Sequence, residues 1–261
     1  MSTPPTQQAH SIPSPNPETS ARRRSLNGLR LVPFTLAIIL LAGLTGFGQQ
    51  TYVSRYDAYV GYSFLNSPAV SLFEPGVAAQ FGVRPKTWFS LGVDYTYGTG
   101  DLKITPDLLT TELQQKLGAQ LAQLIAAGVI PPTYTLVVPA HSTTHTFAAG
   151  PQLAYRHFSR ATLFVRPLFL GAIHETAVPK PGDPIAAAIV KELAPSGSKV
   201  DTVMFLGFGG GFDILLSKHF AIRAQADLVY DHLFDDLLRN GRWTTRFSVG
   251  PAFNFGKNIA K

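Results

Sequence analysis

The chain has 261 residues, 15% of them charged and 11% aromatic, with 23 Gly, 20 Pro and no Cys. That composition removes disulfide and thiolate chemistry, and a mean hydropathy of +0.11 is far too low for a bundle of membrane helices. The net charge of +6 invites a nucleic-acid partner, but Arg22, Arg23, Arg24 and Arg30 precede Gln49, with Glu18 the one acid there. Beyond that point 18 basic residues face 15 acidic ones, a net of +3 with no Lys/Arg cluster, so no nucleic-acid partner is expected.

Residues 1–30 read as a disordered extension, rich in Ser, Thr, Pro and Gln, that ends in a basic segment. Residues 31–48 read as the apolar core and small-residue cleavage site of an export signal. The run from Leu31 to Leu44 is short of the ~20 residues that a spanning helix needs, which favours cleavage near Gly48/Gln49 over a retained anchor. The mature part is then 49–261.

Eight segments of this part alternate with period two. They are Arg55–Leu65, Gly76–Arg84, Trp88–Tyr97, His145–Arg156, Ala161–His174, Thr202–Leu215, His219–Asp231 and Arg242–Phe255. At about 9–14 residues they match tilted strands that cross a bilayer; soluble strands usually run to about 5–6. In the fifth segment Leu163, Val165, Phe169 and Ile173 are assigned to the apolar face, opposite Arg166 and His174. Tight connections are expected at Pro85-Lys86, at Phe158-Ser159-Arg160 and at Ser217-Lys218. Long ones are expected at 66–75, 98–144, 175–201 and 232–241. Short turns at one end and long loops at the other are a mark of outer-membrane barrels.

Alternation alone does not choose the solvent, because a soluble eight-stranded barrel also alternates. The polar face decides. It carries Asp57, Arg84, Asp94, Arg156, Arg166, Asp213, Arg223, Asp227 and Arg246. Both signs are present and no Lys, which suits buried bidentate pairing rather than a solvated surface. Gly and Ala around these residues leave room for long side chains inside a narrow barrel. The Phe, Leu, Val and Tyr face is then the lipid face. Pro151, Pro167 and Pro251 fall on it and each removes a ladder donor, so bulges are expected there.

The pattern resembles the eight-stranded outer-membrane β-barrel family, which includes OmpA-like transmembrane domains and small porin-like proteins. The resemblance spans residues 52–256. It is carried by the export signal, by Asp57-Ala58-Tyr59-Val60-Gly61-Tyr62-Ser63, Gly209-Gly210-Gly211-Phe212-Asp213 and Arg223-Ala224-Gln225-Ala226-Asp227, and by an aromatic last strand. It implies an all-β, eight-stranded antiparallel up-and-down transmembrane barrel in a bacterial outer membrane. It also implies contact with outer-membrane lipid and recognition of the last strand by the outer-membrane assembly machinery. Family members often end in Phe; here Phe255 closes the strand and Gly256 to Lys261 follow.

Helical insertions are expected in two of the long loops. In 98–144, Leu109, Leu113, Leu117, Leu121, Leu124 and Ile125 recur at three- and four-residue spacing, giving a helix over about 106–127 that Gly128 ends. A second, short helix is read over Pro184–Leu193 in loop 175–201.

Site chemistry is sparse. No catalytic, cofactor or metal residue is assigned. His141 and His145 are spaced for a shared metal only on a helix, and the glycines of Gly207-Phe208-Gly209-Gly210-Gly211 open no helix as a phosphate loop must. His174, Glu175, Asp231 and His232 near the rim obey no spacing rule. The functional expectation is a structural or surface-interaction barrel whose lumen is filled by side chains and whose external partner the sequence does not identify. The alternatives are porin-like passage of ions or apolar solutes and a rim-located lipid-modifying enzyme.

Overall fold

The computed structural model describes residues 50–239 and 241–260; the expected extension and export signal lie outside them. The described residues form a closed barrel of eight antiparallel strands in sequential order. The strands are β1 (Ser54–Ser67), β2 (Leu72–Lys86), β3 (Phe89–Ile104), β4 (Val138–Tyr155), β5 (Ala161–Pro179), β6 (Lys199–Leu215), β7 (Phe220–Asp231) and β8 (Arg242–Asn258). β8 closes on β1 through pairs such as Tyr62 with Val249 and Phe64 with Phe247. Closure leaves no unpaired edge, the condition for spanning hydrocarbon with strands.

The wall is apolar outside and polar inside. Val60, Val77, Leu91, Phe147, Leu170, Phe208, Phe247 and Val249 are exposed, whereas Asp57, Arg84, Asp94, Arg166, Asp213, Arg223, Asp227 and Arg246 are buried. Such a distribution would fail in water, where large apolar patches stay on the inside, and it suits a lipid surround. Aromatic rings gather at two levels. At the turn end Tyr56 stacks with Phe81 and Phe255, and Phe253 packs on Phe220. Toward the loop end Trp243 packs on Tyr230, Tyr95 on Phe147, and Phe64 on Phe247.

Several strands run further than alternation alone indicates. β3 and β4 pair as far as Ile104 with Val138, and β5 and β6 as far as Ala177 with Lys199. The loops shrink accordingly from 66–75 to 68–71, from 98–144 to 105–137 and from 175–201 to 180–198. In the β3–β4 extension the outward residues are Thr99, Asp101, Lys103, His141 and Thr143. With a polar outer face the hydrophobic alternation that announces a strand is gone, although the backbone ladder continues. The first tight turn likewise moves from Pro85-Lys86 to Thr87-Trp88, because Lys86 pairs with Phe89.

β5 corrects the assignment of faces. Its register slips by one residue between Arg166 and Phe169 against β6, and between the pairs Ala149–Leu170 and Leu153–Val165 against β4. Pro167, which has no N–H to give the ladder, lies in this bulge; Pro151 and Pro251, where bulges were also expected, keep regular register with Leu91 and Ile222. Pro167 and Leu168 both face outward. From there on the phase inverts: Phe169 and Ile173 are buried in the lumen and His174 is outside.

Candidate functional site

The lumen holds its charged side chains in three layers. Nearest the turns, Arg84 pairs with Asp57 at 3.2 Å, and Arg223 pairs with Asp57 at 2.8 Å and with Asp213 at 2.7 Å. Arg223 also donates to Gln80 at 3.0 Å, and Gln80 donates in turn to Gln225. In the middle layer Arg166 and Arg246 both bind Asp94 and Asp227. Arg246 adds a bond to Thr96 at 2.9 Å. Nearest the loops, Arg242 bridges Glu175 and Asp231.

Small residues make room for this packing. A Cβ at Gly209 would meet Asp227 Oδ1 at 2.1 Å, and one at Gly207 would meet the Phe169 ring at 2.6 Å. The glycine run of β6 therefore serves the interior. The Arg166 guanidinium lies 4.1 Å from the centre of the Phe169 ring and that of Arg246 5.7 Å. Phe169, assigned by sequence to the lipid face, is thus a member of the middle layer.

Of the nine polar-face residues read from the sequence, eight meet in the two layers nearer the turns. Arg156 stands apart. It follows β4 at the turn-side mouth and donates to the Thr87 carbonyl at 2.8 Å, to Thr162 at 2.9 Å and to Gln50 at 3.3 Å, with no carboxylate partner among the described residues. The third layer was not assembled by sequence reading, which left Glu175 and Asp231 at the rim and gave Arg242 no role. The signal was present in β7, where Asp231 continues the inward series Arg223, Gln225, Asp227.

The four rim residues do not converge. Glu175 and Asp231 point into the lumen, and His174 and His232 are exposed. His141 and His145 lie on one face of an extended strand, about 13 Å apart along it. They are engaged separately, His141 with Asp101 at 2.9 Å and His145 with Tyr95 at 2.9 Å. Among the described residues no group of His, Asp and Glu side chains is arranged to hold a metal ion.

Above Arg242 the inner face turns apolar, with Leu72, Leu102, Ala140 and Ala177 buried. Two helices cover it. The first, α1 (Thr111–Ala126), starts later than the sequence indicates, because Pro106–Leu108 forms a separate 3-10 turn. Leu109 then leaves to bridge Leu238, and the Thr110 N–H donates to the Leu237 carbonyl at 2.8 Å. The second, α2 (Pro184–Leu193), has the bounds that the sequence indicates. Asp183 caps it by accepting from the N–H groups of Ile185 and Ala186, each at 2.9 Å. Tyr134 ties the same carboxylate to the segment before β4 at 3.0 Å. Leu117 of α1 and Ala186 and Ile189 of α2 share one buried cluster with Leu109, Leu136 and Val138. Beneath them lies a cavity of about 70 Å³ that Glu175 and Arg242 border at its lumenal side.

No protein-family model and no curated protein sequence matches the chain. Solved structures do. The attachment invasion locus protein Ail of Yersinia pestis aligns with a TM-score of 0.42 at 11% identity, over 79% of this chain and 100% of that one. Neisserial surface protein A aligns at 0.43 and 12%, over 77% and 96%. The outer membrane protein OprG of Pseudomonas aeruginosa aligns at 0.48 and 8%, over 80% and 99%. By their own strand order, closure and inverted polarity, the described residues form an eight-stranded up-and-down β-barrel of membrane-spanning character.

Proposed function

We propose that this barrel works by binding at its loop end and does not pass solutes through its lumen. The observation that carries this reading is the stack of three ion-paired layers, from Arg84 to Arg242, in a barrel whose eight strands leave just enough interior for side chains to fill. Opening a path would mean separating several buried pairs, each break costing about 3–5 kcal/mol. The loop end supplies the binding element, the α1–α2 cap over its cavity. The cavity is lined by apolar side chains including Leu102, Leu117, Leu136 and Ile189. A cavity of this character disfavours water and accepts small apolar guests. The fitting ligand is a single ring or the end of an alkyl chain. In its membrane the barrel contacts lipid through the Phe, Leu and Val face, and its last strand, with Phe255 near the end, is the segment offered to the assembly machinery.

Two measurements test the proposal together. Planar-bilayer recording of the refolded protein should give no steady single-channel steps; reproducible steps would establish passage and end this reading. An apolar fluorescent probe should bind saturably to the wild type and more weakly to Ala177→Leu, which fills the cavity from the barrel wall. Equal binding by both would place the probe elsewhere. A lipid-modifying activity would appear as an altered lipid profile on overexpression, and an unchanged profile is expected.

A further inference from the structure

The turn-side mouth carries positive charge that the lumen leaves uncompensated. Three arginines, Arg84, Arg156 and Arg223, lie at this level with two carboxylates, Asp57 and Asp213. Both acids are committed: Arg223 holds Asp213 through two bonds of 2.7 and 3.0 Å, and Asp57 is shared between Arg223 and Arg84. Arg156 spends its bonds on neutral oxygens. Arg160 and Lys218 stand at the rim, and neither has a carboxylate within ion-pairing distance among the described residues. Buried Arg84 keeps an Nε–H with no hydrogen-bond partner among them.

Arg84, Arg156, Arg160 and Lys218 line one pocket of about 220 Å³, together with Gln50 and Ser54. That is room for a group several times the size of a water molecule. Asp213 is the one acid on its wall, and Arg223 neutralises it.

We propose that this pocket binds a phosphate-type oxyanion, with Arg156 as its main anchor, Arg84 behind it, and Arg160 and Lys218 at the entrance. A guanidinium presents a fork of N–H donors that suits the paired oxygens of a phosphate. An anion there would restore the charge balance of the lowest layer. The same chemistry could reach the pocket as free phosphate or as the headgroup of a lipid in the leaflet beside the turns.

The test is calorimetric titration of the refolded protein in a phosphate-free glycosidic detergent, once with sodium phosphate and once with short-chain phosphatidic acid. Diacylglycerol of the same chain length is the blank. Arg156→Gln should weaken binding about tenfold, the loss of one charge-assisted contact. Arg239→Gln, at the loop end, should leave binding unchanged. Arg156 belongs to no ion pair, so the variant should keep its heat-modifiable gel mobility. Where that mobility is lost, Arg160→Gln replaces it, with a smaller decrease expected. Binding of phosphate identifies a soluble anion, and binding of phosphatidic acid alone identifies a headgroup. Absence of saturable binding in both titrations, or equal affinity in wild type and variant, overturns the proposal.

Discussion

Removing Arg223 tests whether the lumen is held by ionic pairing. Its guanidinium contacts Asp57 at 2.8 Å, Asp213 at 2.7 Å and Gln80 at 3.0 Å, and it is almost wholly buried. At separations near 4 Å each attraction is worth about 4 kcal/mol at an effective dielectric constant of 20. Desolvation of the three ions offsets much of this. The loss on substitution is therefore dominated by what stays behind. Asp57 keeps Arg84, but Asp213 is left as a buried charge with no cation. Arg223→Met should cost about 3–5 kcal/mol, the usual penalty for breaking a buried pair. Removing the stranded charge as well, in Arg223→Met/Asp213→Leu, should recover most of it, giving a coupling of about 2–3 kcal/mol. The assay is urea unfolding in lipid vesicles followed by tryptophan fluorescence. Trp88 and Trp243 face outward near opposite ends of the barrel and report the loss of lipid contact. If the double variant is as unstable as the single one to within about 0.5 kcal/mol, the layer is held by packing and the ionic account is wrong.

The polarity of the wall gives a paired prediction: Val60 and Val129 are equally exposed, at 61% each, but Val60 lies midway along β1 and Val129 in a loop. Val60→Arg should destabilise the protein in vesicles by about 2–4 kcal/mol, and Val129→Arg by less than about 0.5 kcal/mol; similar costs would contradict a lipid-facing wall. Glu74 is buried, accepts from Thr144 at 3.0 Å and has no cation within pairing distance among the described residues. Glu74→Gln should raise the unfolding midpoint by the equivalent of about 1 kcal/mol, whereas Glu175→Gln, which strips Arg242 of a partner, should lower stability by about 3 kcal/mol. The Ala186 N–H, with Tyr134 and the Ile185 N–H, holds the Asp183 carboxyl below the usual carboxylate range. A lowered folded value means that the contribution is present above the unfolded value, about 3.9, and is lost as pH falls through the folded one. Amide hydrogen exchange in α2 should therefore lose protection on acidification through that window, and Asp183→Asn should flatten the dependence.

Eight strands, their order and the identity of the polar face were legible because the barrel wall separates two solvents, and every second side chain must answer to one of them. The bulge in β5 was legible in principle. Pro167 cannot donate to either neighbouring strand, and an extra residue there carries Phe169 inward to the Arg166 and Arg246 guanidiniums. A strict period of two cannot register such a slip, since one inserted residue reverses every later position. The start of α1 was misplaced for a different reason. Leu109 fits the helical spacing, yet its backbone is taken by Leu238, more than a hundred residues later. No local pattern encodes that competition.

The third layer was missed although the helices of the cap were not, and one physical change along the barrel axis accounts for the layer and the cap alike. Within the bilayer the wall is apolar outside and charged inside. Past the level of Arg242 the inner face turns apolar, and the outer face of β3 and β4 turns polar. Outside, Asp101, Lys103, His141 and Thr143 of β3 and β4 stand beside Phe73, Val178 and Val200 of β2, β5 and β6; inside stand Leu72, Leu102, Ala140 and Ala177. Above that level the inner face is apolar and needs cover that lipid cannot give. The helices over the mouth follow from this need. Leu117, Ile189 and Leu136 complete a core whose other half is the upper wall, and Leu233, Phe234 and Leu238 of the last loop fill its side. A reading that follows one alternation along each strand ends where the sense of the alternation reverses.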